Sequence, residues 1–254
     1  MNVTVLGASS VAPNPGGACT GFLIQTGGLS LLLDCGVGVV SNLQRYISYH
    51  ALDAIVISHM HSDHCLDLVT LRYCLKYAPW AGARRPIPLF LPPGGRAMLE
   101  EVSHPMREPD VEFFDGVFDI CEYDPAQSLS IGHIRVTFTP TVHYVPCWAV
   151  RLESEGRILA FSADTGPAGD LAPIAHNAHL FICEAAVYDR ATETEQWGHL
   201  SPEEAATYAR NGGVGRLVLS HTWHGYDRVD MVNRAADVFG GPTSLAEEGQ
   251  VYQV

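Results

Sequence analysis

One short segment constrains this chain more than any other part of its sequence. Residues 55–64 read Ile-Val-Ile-Ser-His-Met-His-Ser-Asp-His, so an apolar, β-branched run ends in three histidines and one aspartate within six residues. Ile55 to Ile57 are typical of a buried strand. If the chain stays extended beyond them, the alternation of side chains sends His59 and His61 to the same side. A polar loop of solvated histidines is the alternative interpretation, and this density of metal-binding side chains disfavours it.

The end of this segment marks a turn from strand to helix. Asp63 and His64 fall in the first turn of a predicted helix that continues through Cys65 to Tyr77, and Ser62 is its predicted N-cap. The segment therefore presents a pair of histidines and an aspartate–histidine pair, which point in different directions. Such an arrangement suits two adjacent metal ions.

Three further candidate ligands follow apolar, strand-like runs elsewhere in the chain. They are His143, Asp164 and His221, and the runs before them cover residues 134–139, 157–162 and 216–220. In layered α/β proteins the ends of strands gather at one edge, where ligands bind. The sequence therefore predicts that these three side chains meet the segment 55–64.

The His-x-His-x-Asp-His pattern and the order of the later residues resemble the metallo-β-lactamase-fold hydrolases, and in particular their ribonuclease Z-like branch. The resemblance implies an α/β fold, a four-layer αββα sandwich, with residues 1–254 as a single domain. It also implies two metal ions. Histidine and carboxylate ligands suit zinc, with manganese or iron as alternatives. The implied ligands are His59, His61 and His143 for one ion and Asp63, His64 and His221 for the other, with Asp164 bridging the two.

The same resemblance implies roles for residues around the metals. Gly198-His199-Leu200-Ser201 stands where the phosphodiesterases of this branch have a histidine that contacts the phosphate and protonates the leaving oxygen. Glu184 matches an acidic position that orients this histidine, and Asp63 completes the predicted catalytic set. Asp34 matches an aspartate that lies beneath the metals and holds a ligand in place. A capping role in a tight turn is the alternative for Asp34.

One departure from ribonuclease Z bears on the substrate. In that enzyme a long arm that grips transfer RNA is inserted between the equivalents of His143 and Asp164, whereas only 20 residues separate them here. The formal net charge of −13 also disfavours nucleic acid, which binds to cationic residues. We therefore expect a metal-dependent phosphoric diester hydrolase in which a metal-bound hydroxide attacks a small phosphodiester. A 3′,5′-cyclic nucleotide is the leading candidate, and no tRNA partner is expected.

Several alternatives stay open on the sequence alone. The same metal pair hydrolyses carboxylic esters, lactones or lactams in sister branches, ribonuclease Z-type RNA processing is a second possibility, and a non-catalytic metal-binding carrier is a third. Arg84 and Arg85 either meet an anionic substrate, from a rim formed by residues 79–109, or are solvated surface arginines. His224 is either a substrate contact or an exposed histidine.

The remaining features concern location, assembly and secondary structure. Seven cysteines without a Cys-x-x-Cys pair argue against a disulfide framework. No signal peptide or membrane span is visible, so a cytoplasmic protein is expected, and the resemblance suggests a homodimer.

Besides the helix after residue 62, helices are predicted over Val39–Tyr49, Arg96–Val102, from a capping box at Ser201 onward, and Arg228–Phe239. Strands are predicted over Val3–Leu6, Gly21–Thr26, Leu29–Asp34, Ile87–Leu91, Val111–Tyr123, Ile134–Thr139, Ala149–Leu152, Arg157–Ser162, Leu180–Cys183, Arg216–Ser220 and a short terminal segment.

Overall fold

A computed structural model describes residues 1–106 and 112–254, which form two β-sheets with helices on both outer faces. The described strands are β1 (Asn2–Gly7), β2 (Gly21–Thr26), β3 (Leu29–Leu33), β4 (Ala54–Val56), β5 (Ile87–Leu91), β6 (Phe118–Glu122), β7 (Leu129–Ile131), β8 (Ile134–Pro140), β9 (Trp148–Ser154), β10 (Arg157–Phe161), β11 (Leu180–Glu184), β12 (Leu217–Ser220), β13 (Thr243–Leu245) and β14 (Val251–Gln253). The described α-helices are α1 (Val39–Leu43), α2 (Ser62–Cys65), α3 (Asp67–Tyr77), α4 (Gly95–Ser103), α5 (Ala172–Ala175), α6 (Pro202–Gly212) and α7 (Arg228–Phe239). Short 3₁₀ turns lie at Tyr49–Ala51 and His104–Met106.

The two sheets have the same internal organisation. In the described residues the first sheet has the order β14-β1-β2-β3-β4-β5-β6 and the second has the order β13-β12-β11-β10-β9-β8-β7. Each consists of an antiparallel half, β14 to β3 and β7 to β10, continued by a parallel half, β3 to β6 and β10 to β13. The carboxyl ends of β8, β10, β11 and β12 therefore point to one edge of the second sheet.

Alternation of side chains along the strands builds the layers. On β2, Phe22 and Ile24 point into the core between the sheets, whereas Leu23 points to the outer layer that contains Leu68 and Leu71 of α3. Phe22 meets Phe161 of β10 edge to face across the sheets, with ring centroids 5.5 Å apart. A third cluster packs α5, α6 and α7 on the outer face of the second sheet. The four-layer αββα sandwich predicted from the sequence is thus confirmed.

The predicted helix after residue 62 is interrupted, and Ser62 is its first residue and not its N-cap. His61 stands at the N-cap position, and no side chain caps this end. The helix breaks at Leu66 because the Asp67 amide donates to the Cys35 carbonyl at 3.0 Å instead of continuing the helical ladder. The Asp67 carboxylate in turn accepts the amide of Val40 at 2.8 Å. The break ties the ligand-bearing turn to the loop after β3.

Two other elements are shorter than predicted. α1 ends at Leu43 instead of Tyr49, and Ser48 accepts the amide of His50 to begin a separate 3₁₀ turn. The predicted strand Val111–Tyr123 is confined to Phe118–Glu122, because the Phe114 carbonyl accepts two amides in a preceding turn. The first residue of the predicted strand, Val111, lies outside the described residues. β7 and α5 have no counterpart in the sequence prediction.

None of the described helices combines the length and apolar character that crossing a bilayer requires.

Within the segment 79–109, as far as residues 79–106 show, Arg84 and Arg85 do not belong to the predicted rim. β5 within this segment is a sheet strand parallel to β4. The Arg84 guanidinium donates to the carbonyls of Leu75 and Ala78 at the end of α3. Arg85 donates to the Leu52 carbonyl and pairs with Asp53 at 3.1 Å, just before β4 begins. Both arginines therefore lie at the edge opposite to the one that bears residues 59–64, where they hold the chain and cannot meet a substrate of this site.

Candidate metal centre

The first group of candidate ligands consists of three histidines and one aspartate. His59 Nε2 and His143 Nε2 lie 3.2 and 3.0 Å from Nδ1 of His61. Asp164 Oδ2 lies 3.7 Å from both Nε2 atoms. The four ligand atoms are all within 4.8 Å of one another, which is the spacing that one metal ion requires. The segments after β4, β8 and β10 thus deliver these side chains to one point.

The second group shares Asp164 with the first. His221 Nε2 lies 3.0 Å from Asp63 Oδ2 and 3.4 Å from Asp164 Oδ2. His64 Nε2 lies 3.5 Å from Asp63 Oδ2 and 3.3 Å from Asp164 Oδ1. These atoms again lie within 4.8 Å of one another. The structure therefore brings all seven predicted ligands together, and it places Asp164 between the two groups, as a bridging carboxylate requires.

Hydrogen bonds beneath the site orient the ligand atoms. His64 Nδ1 donates to Asp34 Oδ2 at 2.7 Å, so its Nε2 faces the site. Asp34 also accepts the amide of Ser58 at 2.7 Å and the Ser58 hydroxyl at 2.8 Å, while that hydroxyl lies 3.1 Å from His59 Nδ1. His143 Nδ1 donates to the Gly198 carbonyl at 2.9 Å. Asp34 thus occupies the position expected for a residue that holds a ligand in place.

The electrostatics of the cluster fit bound cations. Burial lowers the pKa of His59 well below its usual range and that of His143 to about 4, so both imidazoles are neutral and offer lone pairs. Burial raises the pKa of Asp63 and Asp164, but the neighbouring histidines outweigh it and hold both carboxyls ionised, Asp63 with a pKa of about 2. Among the described residues, the buried atoms His64 Nε2 and Asp164 Oδ1 lie 3.3 Å apart without good hydrogen-bond geometry, and neither makes a hydrogen bond to another atom. Imidazole lone pairs and ionised carboxylates that face one point form a donor set for divalent metals.

Backbone strain is concentrated at the same place. Asp34, Ala163 and His221 are non-glycine residues with φ values of 57°, 49° and 58°, in the left-handed region. Each follows a strand, so the chain turns sharply where it delivers a ligand or the partner of a ligand. A left-handed conformation costs a non-glycine residue on the order of 1 kcal/mol and is found where function over-determines the geometry.

His199 lies at the border of the metal groups and is paired with Glu184. Its Nδ1 donates to Glu184 Oε1 at 3.0 Å, and its ring stacks on that of His221 with centroids 5.5 Å apart. Burial lowers the pKa of His199, but the carboxylates of Glu184, Asp164 and Asp63 outweigh it and raise this pKa to about 9. Glu184 is itself buried, and its Oε1 accepts the Thr165 amide at 2.7 Å. The arrangement holds a protonated imidazole beside the metal site.

Other predicted and missed residues complete the surroundings. His224 is exposed, its amide donates to the side chain of Asn14 at 3.0 Å, and it belongs to neither ligand group of the described residues. Two contacts were not predicted from the sequence. Ser58 lies beneath His59, and the Ser10 hydroxyl lies 3.4 Å from His221 Nδ1. The position of Ser58 inside the segment 55–64 was a usable signal. Ser10 had none, because it depends on a contact between distant parts of the chain.

Comparison with known proteins agrees with this geometry. A family model described as the beta-lactamase superfamily domain matches residues 30–222. The chain is 29% identical to the probable metallo-hydrolase YhfI of Bacillus subtilis over 254 residues, which cover all of both proteins. The crystal structure of that metallo-beta-lactamase fold protein matches with a TM-score of 0.88 and 28% identity over 99% of each chain. A ribonuclease Z of Mycobacterium bovis is 27% identical over 239 residues, which cover 87% of this chain and 85% of the relative.

Proposed function

The chain belongs to the beta-lactamase superfamily, and from that premise we propose that it is a metal-dependent phosphodiesterase that hydrolyses a small phosphodiester, with a 3′,5′-cyclic nucleotide as its substrate. We propose two zinc ions as the cofactors, held by the seven side chains of the two ligand groups. A homodimer and a cytoplasmic location stay predictions from the sequence.

Each part of the site has a task in this reaction. When bound, two such ions neutralise the charge on the phosphoryl oxygens and lower the pKa of water. The chain itself supplies the proton for the departing alkoxide from Nε2 of His199, while Nδ1 stays hydrogen-bonded to Glu184. Because the pair is buried, the carboxylate fixes both the orientation of the imidazole and its charge. Asp63 and Asp164 contribute as ionised ligands.

The observation that carries the proposal is the Glu184–His199 pair at the border of the metal groups. An alkoxide is a poor leaving group, and a positioned general acid typically contributes 10²–10⁴-fold to its departure. Glu184, the largest of the charges that raise the pKa of His199, is no ligand in either metal group and favours the protonated imidazole at neutral pH. A carrier protein without turnover has no use for a buried proton donor, and the donor set of both metal groups is complete.

The segment between His143 and Asp164 supports a small substrate. All of its residues are described, and they include the hairpin of β9 and β10, in which residues 150–154 pair with residues 157–161. No arm extends from this part of the chain. Together with the net charge of −13, this argues against gripping a long polyanion, although the chain resembles ribonuclease Z in sequence.

A substrate panel tests the proposal. We expect the zinc- or manganese-loaded protein to hydrolyse 3′,5′-cyclic AMP and bis-p-nitrophenyl phosphate, and to leave a lactone, nitrocefin and a precursor tRNA unchanged. Removal of the metal with a chelator should abolish the activity, and addition of the metal should restore it. Turnover of the lactone or nitrocefin without turnover of any phosphodiester would refute the proposal, and cleavage of the precursor tRNA alone would assign RNA processing instead.

A further inference from the structure

Two exposed aromatic side chains stand beside the candidate metal centre and have no part in the chemistry described so far. Tyr144 follows the predicted ligand His143 directly, and Trp197 lies two residues before His199. Their side chains are 46% and 52% exposed, although tryptophan is on average highly buried in folded proteins. The ring centroids are 4.6 Å apart and the ring planes form an angle of 68°. We call this pair, Tyr144 and Trp197, the aromatic wall.

The aromatic wall borders the proton donor. The Tyr144 ring lies 5.0 Å from the ring of His143 and 5.7 Å from that of His199, measured between centroids. Because His199 protonates the leaving oxygen in the proposed reaction, the wall lies on the leaving-group side of the site. In a cyclic nucleotide the leaving oxygen belongs to the ribose, and the same ribose carries the base.

The wall is held in place from behind. A Cβ atom on Gly198 would come within 2.9 Å of the Tyr144 ring, so the glycine permits that ring to pack on the backbone next to Trp197. Arg190 donates to the carbonyls of Gln196, at 2.8 Å, and of His199, and so fixes the chain on both sides of Trp197. An aromatic surface that is fixed before the ligand arrives loses little entropy on binding.

We propose that the aromatic wall binds the nucleobase of a nucleotide substrate by stacking. This inference rests on the proposed phosphodiesterase function and names the part of the substrate that the metals and His199 do not touch. Stacking suits the wall because every base has a planar π face, and it selects nucleotides over aliphatic diesters without selecting one base.

Substitutions with a matched control test this inference. The variants Trp197→Leu and Tyr144→Leu remove the ring and keep an apolar side chain, and Tyr144→Phe keeps the ring. Trp80→Leu is the control, because Trp80 is 43% exposed and packs on His50 with centroids 4.1 Å apart, away from the described metal groups. The two substrates are 3′,5′-cyclic AMP and the cyclic phosphate of 1,3-propanediol, which has the same six-membered diester ring and no base.

The readout is the ratio of kcat/KM for cyclic AMP to that for the base-free diester. In metal-loaded Trp197→Leu and Tyr144→Leu we expect this ratio to fall about 5- to 150-fold, mainly through KM, which is the range that one lost stacking contact supplies. Tyr144→Phe keeps the ring and should therefore keep the wild-type ratio. Trp80→Leu should also leave the ratio unchanged. An unchanged ratio in both leucine variants would overturn the inference and leave the phosphodiesterase proposal intact.

A binding measurement separates the two proposals. Stacking on Trp197 should quench its fluorescence when adenosine 5′-monophosphate is titrated into the metal-loaded protein, and this part of the signal should be absent from Trp197→Leu. If the wild-type protein hydrolyses neither diester, the proposed function fails. In that case the nucleotide titration alone tests the aromatic wall. Weaker binding of adenosine 5′-monophosphate to the leucine variants than to wild type would support the wall, and equal dissociation constants in all three proteins would overturn it.

Discussion

Replacement of His199 by alanine tests the proposed mechanism at the residue that carries it. The substitution removes the imidazole that donates to Glu184 and stacks on His221, and leaves all seven candidate ligands in place. We expect kcat for 3′,5′-cyclic AMP to fall by about 10²–10⁴-fold, which is the usual contribution of a positioned general acid. The loss for bis-p-nitrophenyl phosphate should be smaller, because p-nitrophenolate departs without a proton.

The fold should survive this substitution. Glu184 loses one partner, but its Oε1 still accepts the Thr165 amide at 2.7 Å and its Oε2 the Ala186 amide at 3.2 Å. The loss of one hydrogen bond to a buried carboxylate costs about 1–3 kcal/mol. Thermal unfolding, elemental analysis and steady-state kinetics should therefore show a modestly lower Tm, unchanged metal content and greatly reduced turnover.

A surface histidine provides the matched control for this variant. His176 is exposed, so His176→Ala should leave kcat unchanged. Equal turnover of cyclic AMP by His199→Ala and wild type would refute the role of His199 as the proton donor. An equal loss for both substrates, accompanied by a loss of metal, would show instead that His199 maintains the metal site.

Three further substitutions address the metal ligands and the pair beside them. Asp164→Ala removes the carboxylate shared by both groups, so bound metal and activity should both fall, and retention of two ions by elemental analysis would contradict a bridging role. Asp34→Asn weakens the acceptor of the His64 Nδ1 proton, and chelator competition should show metal affinity reduced about 10- to 100-fold, whereas unchanged affinity would argue for a turn-capping role. Glu184→Gln removes a charge that raises the pKa of His199. Because the acid works only below its pKa and is lost as the pH rises through it, the basic limb of the kcat profile should move to lower pH in this variant, and an unmoved limb would contradict the pairing.

The candidate ligands were predictable because each follows an apolar strand. The rule that strand ends gather at one edge brings His143, Asp164 and His221 together on the second sheet, and the resemblance to a layered sandwich brings them to the segment 55–64 of the first sheet. The αββα layers were predictable from the resemblance of this segment and the order of the later residues. The Glu184–His199 contact also came from the resemblance, since 14 intervening residues give no local signal for a hydrogen bond.

Long-range hydrogen bonds account for what the sequence did not predict. The break between α2 and α3 depends on the Cys35 carbonyl, which takes the Asp67 amide that a continuous helix would use. Arg84 and Arg85 were open to a role at the substrate, and only the carbonyls around them show that they secure the opposite edge of the sheet. Such partners lie far away in sequence and are decided by the packing of the layers.

In the proposed enzyme, two cations lie between these seven side chains and share Asp164. The most direct measurement is anomalous diffraction at the zinc absorption edge from crystals of the zinc-loaded protein. We expect two peaks roughly 3.5–4 Å apart, one within reach of His59, His61 and His143 and the other within reach of Asp63, His64 and His221. A single peak, or peaks away from these groups, would contradict this arrangement.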